Sequence, residues 1–281
     1  MMKNLSEALG ATGSSLKSIV KMALQSRKAT VIRLKELPAG PMIIMGNGPS
    51  LTQTIAENLP ALKSHPTMAV NFAALAPEFA EIKPRFYVLA DPHFVSDSDN
   101  PNLVRLWENL RGVTWRMTLL VPAPFRARIL ERTGGNSCID VATFNAVGVE
   151  GWRWLTRMAY GSGLGMPRPR NVLIPSIMLA MWLGYKNIYI AGADHSWMKT
   201  ISVNERNEVV SVQPHFYKDD DKEIERVTTE YLRYPLHQII HSFYVAFKAY
   251  HEIASYARYK GVRIYNATPG SFIDAFERKG F

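Results

Sequence analysis

The sequence has only one cysteine, Cys138, and this scarcity excludes an internal disulfide framework and a four-thiolate zinc site. A chain with so little cysteine is typical of a reducing compartment, so we expect a cytoplasmic protein. Long apolar runs are lacking too. The longest, 172–183, falls well short of the roughly 20 residues that a membrane-spanning helix needs, and no stretch of the signal-peptide kind occurs near residue 1.

Nucleic-acid-binding patterns are also absent, because no zinc-finger, RNP or helix-turn-helix motif occurs and the basic residues are dispersed. The formal charge is nevertheless +9, from 33 basic and 24 acidic residues, which favours an acidic partner. We therefore expect no nucleic acid, but a nucleotide, an anionic sugar or an anionic membrane surface. The acidic run 219–221 lacks the spacing and the glycine of an EF-hand, and we predict neither a metal nor another cofactor.

A glycine turn stands directly behind the apolar run 42–45 and contains Gly46, Asn47, Gly48 and Ser50. A strand that ends in such a turn and opens a helix directs backbone N–H groups and the positive end of the helix dipole at one place, which suits a phosphate. The turn lacks the third glycine of the dinucleotide fingerprint and the Gly-Lys-Ser/Thr of a Walker loop. It predicts a nucleotide site of another kind, or an ordinary strand-to-helix turn.

Strand-like and helix-like runs alternate along most of the chain. The strand-like runs are 42–46, 67–71, 86–90, 115–121, 187–192 and 262–266, and the helix-like runs are 51–59, 73–80, 101–111, 124–132, 172–183 and 236–258. This alternation predicts an α/β fold, a Rossmann-like and mainly parallel sheet with helices on both faces. Ligands of such sheets bind beyond the carboxyl ends of the strands. We therefore expect these polar positions to converge with the glycine turn: Asn71, Asp91, Gly192 and Asp194.

Two segments stand outside this alternation. Residues 1–37 are predicted to be a basic amphipathic extension, in which Leu16, Ile19, Val20 and Leu24 have helical spacing among lysines and arginines. This helix would either rest on the anionic inner face of a membrane or pack on the domain with a solvated basic face. Residues 38–281 are predicted to be the nucleotide-binding domain, with a lid insertion at about 197–235, where apolar periodicity is weak.

Four blocks of the sequence, taken in order, resemble those of a known enzyme family. They are G-N-G-P-S-L at 46–51, V-N-F at 70–72, L-G-Y-K-N-I-Y-I-A-G-A-D at 183–194 and H-S-x-x-x-x-x-K-A at 241–249. The set is similar to that of the small, metal-independent bacterial sialyltransferases of glycosyltransferase family 42, which use CMP-sialic acid. The resemblance covers residues 40–280, and it implies that the predicted domain binds a nucleotide sugar.

The resemblance also implies residue roles. It places the nucleotide against the strand-end residues Gly46, Asn47, Gly48, Ser50, Asn71, Asp91, Gly192 and Asp194. His241 matches the family's histidine that deprotonates the acceptor hydroxyl, and Arg170 lies near its active-site arginine. The implied reaction is the inverting, metal-independent transfer of a sialic-acid-like sugar from a CMP-activated donor to a hydroxyl of a surface glycan, as in lipopolysaccharide or capsule synthesis.

The chain departs from that family in two places. The family's two tyrosines that hold the leaving phosphate have no counterpart directly after Asp194, so that His195, or Tyr217 of the lid, would take over their role. Asp91 stands where the family has a second asparagine, and a carboxylate close to the donor phosphate would repel it.

A second resemblance overlaps with the first. It is to the family that groups motility accessory proteins with archaeal hydroxymethylpterin pyrophosphokinases, which also pairs a G-x-G-P-S turn with a late G-x-D strand end. Two alternatives therefore stay open: an ATP-dependent diphosphate transfer to a pterin, and a non-catalytic accessory protein that binds a nucleotide or a glycan. The sequence leaves open whether the chain forms a homo-oligomer.

Overall fold

The computed structural model describes residues 2–30, 40–97, 99–211 and 234–281. Their α-helices are α1 Met2–Gln25, α2 Ser50–Ser64, α3 Glu78–Ile82, α4 Pro101–Arg111, α5 Arg126–Arg132, α6 Arg153–Ser162, α7 Leu173–Leu183 and α8 Leu236–Lys260. Their strands are β1 Met42–Met45, β2 Thr67–Val70, β3 Phe86–Val88, β4 Met117–Pro122, β5 Ile139–Phe144, β6 Asn187–Ala191, β7 Ile201–Val203, β8 Val209–Ser211, β9 Arg263–Asn266 and β10 Glu277–Arg278. Short 3-10 helices span Asn71–Leu75, Pro92–Val95, Ala123–Phe125 and Trp197–Lys199.

Eight of these strands form one sheet in the order β10-β9-β6-β1-β2-β3-β4-β5, with every neighbouring pair parallel. The chain runs outward from β1 to β5 and then returns to place β6 on the other side of β1. Parallel neighbours need crossover connections, and helices supply most of them here. The predicted fold class, an α/β protein with a mainly parallel sheet and helices on both faces, is confirmed.

The central strand shows why the sheet is covered on both faces. All four residues of β1 are buried, and their side chains alternate between two cores. Met42 and Ile44 join the core formed with α1, α6, α7 and α8, whereas Ile43 and Met45 join the core formed with α2 to α5. A strand that is buried on both faces reads as a continuous apolar run, and this is the signal by which the sequence predicted it.

Sequence reasoning missed β5 and α6, as well as the short strands β7, β8 and β10. Strand β5 was not predicted because only three of its six residues are buried, and its exposed and half-buried positions dilute the apolar signal. Helix α6 was not predicted either. The helix expected at 73–80 divides into a 3-10 helix and α3, because Ala76 precedes a proline and adopts extended geometry, with ψ at 139°.

Helix α1 lies against the domain through its small residues. The Ser15 hydroxyl oxygen accepts from the Trp152 N–H at 2.8 Å, the Ser18 hydroxyl donates to the Glu150 carbonyl at 2.9 Å, and Met22 enters the core. The proposed domain boundary at 37/38 lies outside the described residues, so it stays a prediction. None of the described helices is long and apolar enough to cross a membrane.

The predicted lid, 197–235, lies partly within the described residues. Its first part forms the 3-10 helix at Trp197–Lys199 and the antiparallel pair β7 and β8. The Trp197 ring stacks on Phe243 of α8, with ring centroids 5.4 Å apart. Residues 212–233, with Tyr217, lie outside the described part of the chain, so the role of Tyr217 in the lid stays a prediction.

The turns that follow β1 and β6 are in direct contact. The Gly46 N–H donates to the Ala191 carbonyl and the Gly48 N–H to the Gly192 carbonyl, each at 2.8 Å. A Cβ at Gly46 would overlap the Gly192 carbonyl oxygen, and a Cβ at Gly48 would overlap the Asp194 carboxylate. The two glycines of the turn are therefore required by this close approach of two chain segments.

Replacing Gly48 with alanine should lower the free energy of unfolding by about 1–3 kcal/mol, because the added methyl group has no space beside Asp194. Gly10→Ala is the control, since Gly10 lies in α1 with open space around it, and alanine there should stabilise by up to about 1 kcal/mol. Urea unfolding of both variants measures the effect. Equal stability of Gly48→Ala and the wild type would contradict the contact.

Candidate functional site

A cavity of about 420 Å³ lies at the carboxyl ends of β1, β2, β3 and β6, where the strand order reverses direction. Open α/β sheets bind ligands at such a switch point. Most of the predicted site residues line this cavity, namely Gly46, Asn47, Gly48, Asn71, Asp91, Arg170, Gly192, Asp194 and His195. Ser50 and His241 are not among the lining residues. The chain order of the strands thus brings together positions that are up to about 150 residues apart.

The N-terminus of α2 is occupied by a carboxylate of the chain itself. Oδ2 of Asp194 accepts from the Ser50 hydroxyl at 2.8 Å and lies 3.4 Å from the Ser50 backbone nitrogen. A negative charge is favourable there because it faces the positive end of the helix dipole. The sequence predicted a ligand phosphate at this point and Ser50 as a ligand contact. In this geometry Ser50 holds Asp194, and a phosphate placed there would meet the carboxylate.

Two buried amide oxygens of the cavity wall have no hydrogen-bond partner among the described residues, Oδ1 of Asn47 and Oδ1 of Asn71. The Asn47 amide nitrogen donates to the Val70 carbonyl at 3.1 Å, which fixes the orientation of that amide. Buried polar atoms are nearly always paired in folded proteins. Two unpaired acceptors in the lining of one cavity at a switch point therefore indicate a ligand that brings hydrogen-bond donors.

Asn71 has a backbone conformation that non-glycine residues seldom adopt, with φ at 49°. A buried tyrosine of β3 holds it there, because the Tyr87 hydroxyl donates to the Asn71 carbonyl and accepts from the Ala74 N–H. Burial raises the pKa of Tyr87 well above its usual range, so the hydroxyl keeps its proton. The position of the Asn71 side chain thus depends on the interior of the sheet.

His195 is buried beside the cavity and belongs to a hydrogen-bonded chain. Its Nε2 lies 2.6 Å from the Tyr250 hydroxyl, which in turn donates to Oδ1 of Asn171 at 3.0 Å. The Asn171 amide nitrogen lies 3.4 Å from the same Nε2, so the donor and acceptor roles between the ring and its two partners depend on the tautomer of His195. Burial lowers the pKa of His195 to about 3, so the ring is neutral at physiological pH.

Arg170 lies at the rim of the cavity, directly before α7. The backbone N–H groups of Leu173 and Ile174 in the first turn of α7 donate to Oδ1 of Asn171, at 3.0 and 3.3 Å. The positive end of the α7 dipole and the Arg170 guanidinium therefore lie at the same side of the cavity. Arg170 is exposed, makes no ion pair among the described residues, and is the only lysine or arginine among the described lining residues.

Asp91 lies at the mouth of the cavity and is exposed. Its Oδ1 accepts from the His93 N–H at 2.8 Å and so caps the 3-10 helix Pro92–Val95. The carboxylate is held in position by the backbone while the side chain remains open to solvent. Of the two acidic side chains that line the described cavity, Asp91 is therefore the one whose carboxylate is available for chemistry, because Asp194 is bound to Ser50.

The structure does not bring His241 to this cavity. His241 is exposed in α8, and its ring stacks on Tyr244, with centroids 6.1 Å apart. The face of α8 that approaches the site carries Phe243, Phe247 and Tyr250 instead, whose rings contact Trp197 or His195. The role of His241 as the base stays a prediction, and its position on an outward face of α8 argues for a different residue.

No metal centre is formed by the described residues, since no group of three or more His, Cys, Asp or Glu side chains among them is placed to hold an ion. The charged side chains that line the described cavity are Asp91, Asp194 and Arg170, with His195 neutral. A donor phosphate would therefore be drawn toward Arg170, the one position where the local charge is positive.

The comparisons with known proteins find little. No protein-family model matches the chain, and no curated protein matches it. Among solved structures it is similar to the MAf glycosyltransferase from Magnetospirillum magneticum AMB-1, at 13% sequence identity and a TM-score of 0.49. The alignment covers 95% of this chain and 37% of that protein, so the chain spans little more than a third of its length. A likeness of this degree says nothing about the activity of the chain.

Sequence reasoning missed two members of the site, Asn171 and Tyr250. Asn171 carries a signal that could have identified it, because an asparagine directly before an apolar helical run is typical of a helix start. Tyr250 carries none. It stands among the apolar residues of α8, and only the fold shows that its hydroxyl meets His195.

The stability of the protein should fall as the pH is lowered from about 6.5 toward 3, because His195 has a lowered pKa in the folded state and the unfolded chain takes up a proton there first. The expected loss is about 1 kcal/mol per pH unit. His195→Asn should flatten this dependence, since asparagine tolerates the positive φ of 51° at this position. Urea unfolding at pH 7 and pH 5 measures the difference.

His237→Gln is the matched control for this measurement, because His237 is exposed in the first turn of α8. This variant should keep the pH dependence of the wild type. If His195→Asn and His237→Gln change the dependence by the same amount, His195 is not the buried neutral histidine described above.

Proposed function

We propose that the chain is an inverting, metal-independent glycosyltransferase that moves a sialic-acid-like sugar from a CMP-activated donor to a hydroxyl of a surface glycan. One observation carries the proposal: the unpaired amide oxygens of Asn47 and Asn71 in a cavity at the switch point of the sheet. The sequence blocks that resemble those of family 42 support the choice of a CMP-activated donor. The cavity volume of about 420 Å³ lies within the range of small-molecule sites.

The nucleoside fits the acceptor-rich wall of the cavity. Oδ1 of Asn47 and Oδ1 of Asn71 need donors, and the Asp194 carboxylate, whose Oδ2 accepts from Ser50, adds a further acceptor to the cavity lining. A cytosine amino group and two ribose hydroxyls supply donors of this kind. A free inorganic phosphate has few donors to offer, so these atoms favour the nucleoside over the phosphate at this wall.

The phosphate belongs at the part of the cavity that Arg170 and Leu173 line. Arg170 and the N-terminus of α7 provide positive potential there, whereas the N-terminus of α2 is neutralised by Asp194. When the bond from the anomeric carbon to the phosphate oxygen breaks, its electron pair goes to that oxygen. A guanidinium and a helix dipole stabilise the resulting charge without a metal ion. Tyr217 of the lid stays a further candidate for this contact.

The acceptor hydroxyl needs a base, and Asp91 is the candidate that the geometry favours. The hydroxyl oxygen would attack the anomeric carbon while its proton passes to the Asp91 carboxylate. A carboxylate at this place also stabilises the positive charge that develops on the sugar ring. His195 is a weaker base, because burial lowers its pKa and Tyr250 holds its Nε2. Asp91 at the mouth thus faces the acceptor.

CMP should raise the melting temperature of the protein in the absence of divalent metal, and Asn47→Ala or Asn71→Ala should weaken its binding. Each substitution removes one acceptor of the nucleoside wall, which is worth about tenfold in Kd. A thermal-shift titration with CMP, UDP and ATP, each with and without magnesium, measures this.

Asn187→Ala serves as the control for CMP binding, since Asn187 is exposed at the amino end of β6, away from the cavity. Stabilisation by ATP with magnesium alone would replace this proposal with the diphosphate-transfer reaction. Binding of CMP without any transfer or hydrolysis of a CMP-activated sugar would leave the accessory-protein alternative.

Asp91→Asn should reduce the rate of sugar transfer by about 10²–10⁴-fold while the Kd for CMP changes little, because the base acts on the acceptor. Arg170→Ala should slow transfer as well, whereas His241→Gln should remain close to the wild type. Initial rates with a CMP-activated sugar and a glycan acceptor measure all three. Loss of activity in His241→Gln with full activity in Asp91→Asn would return the role of the base to His241.

A further inference from the structure

The outer side of α1 exposes apolar side chains. Leu16, Ile19, Val20 and Leu24 are all exposed, and Leu24 keeps 68% of its surface. This is the set whose helical spacing the sequence showed, yet the helix packs on the domain through Ser15 and its neighbours on the opposite side. Apolar residues that point outward from a docked helix, while serines point inward, require an explanation outside the chain's own core.

Helix α6 is linked to α1 at both of its ends and exposes apolar side chains as well. Ser15 of α1 bonds to Trp152, just before α6, and the Ser26 hydroxyl donates to the Leu164 carbonyl, just after it, at 2.6 Å. The two helices are therefore parallel neighbours. On α6, Trp154 keeps 65% of its surface exposed and Met158 keeps 45%. We call the following set the α1–α6 face: Leu16, Ile19, Val20, Leu24, Trp152, Trp154, Met158 and Leu164.

The two stretches of chain that form this face carry only basic charge. The stretches 8–30 and 151–167 contain no aspartate or glutamate and carry the basic residues Lys17, Lys21, Arg27, Lys28, Arg153 and Arg157. The acidic side chain next to the second stretch, Glu150, is already paired with Lys248 at 3.0 Å and with Arg168 at 3.6 Å. A surface of apolar side chains with basic residues among them complements a layer that is apolar inside and has acidic groups on its outside.

A basic cavity of about 810 Å³ adjoins the C-terminal ends of α1 and α6. Arg27, Lys28, Lys186 and Lys260 line it, together with Leu164 of the α1–α6 face and four large aromatic rings, and no acidic residue is among its described lining residues. The apolar face thus ends at a cluster of cations. This arrangement of an apolar surface beside a cluster of cations matches a phospholipid layer, in which the acyl chains lie next to the phosphate headgroups.

We propose that the α1–α6 face docks on a membrane surface that carries anionic phospholipid headgroups. The exposed tryptophans and leucines enter the boundary between headgroups and acyl chains, while the surrounding lysines and arginines lie among the phosphates. The contact involves the folded domain, through α6 and the basic cavity, and not the N-terminal helix alone. It does not depend on the sugar-transfer reaction proposed above.

The test is flotation of the full chain with vesicles of phosphatidylcholine, with and without phosphatidylglycerol. The chain should bind only the vesicles that contain phosphatidylglycerol, and the binding should weaken as salt is raised. The double variant Trp154→Ser/Met158→Ser should bind about tenfold more weakly, because it removes apolar surface from α6 and leaves α1 intact. Lys17→Glu/Lys21→Glu should also weaken binding, and more so at low salt.

The matched control is Val104→Ser/Leu130→Ser, which removes two exposed apolar side chains from α4 and α5 on the other side of the sheet. It should bind as the wild type does. The proposal is overturned if the full chain does not bind the anionic vesicles at low salt. It is overturned as well if Trp154→Ser/Met158→Ser binds them as well as the control Val104→Ser/Leu130→Ser does. It is also overturned if sedimentation of the vesicle-free wild type shows a dimer that Trp154→Ser/Met158→Ser dissociates, since the face would then belong to a second copy.

Discussion

The contact between the turns after β1 and β6 is the constraint on which the rest of the site depends. Asp194 places a carboxylate at the N-terminus of α2, where it accepts from Ser50, and the turn after β1 donates two backbone hydrogen bonds, to Ala191 and Gly192. Only glycine fits at positions 46 and 48, because the turns approach too closely for a side chain. This contact fills the space between the two turns at the switch point. The part of the cavity lined by Asn47 and Asn71 remains open to a ligand.

Much of the fold could be predicted from the sequence, because strands that are buried on both faces appear as short apolar runs between helical segments. β1 and β6 are examples, and their predicted positions agree with the structure to within one residue. The convergence of Asn71, Asp91 and Asp194 also followed from topology, since parallel strands end at one edge. These predictions needed only periodicity and chain order.

The remaining features depend on which partner a group finds in three dimensions, and the sequence does not contain that information. The turn after β1 is typical of a phosphate site, but a carboxylate 144 residues away along the chain occupies the helix end. His241 stands in a block that resembles a catalytic one, yet the rotation of α8 directs Phe243 and Tyr250 toward the site. The apolar residues of α1 predicted a helix correctly and gave no indication of which side would face the domain.

The link between Tyr87 and Asn71 connects folding with recognition. A fully buried tyrosine of β3 holds the backbone of Asn71 in a left-handed conformation, and that backbone sets the direction of one of the two unpaired amides. Natural variation in the interior of the sheet can therefore alter the choice of ligand without touching the cavity. In a lineage of such proteins, some changes in ligand specificity would therefore be found among buried residues of the sheet, which do not contact the ligand.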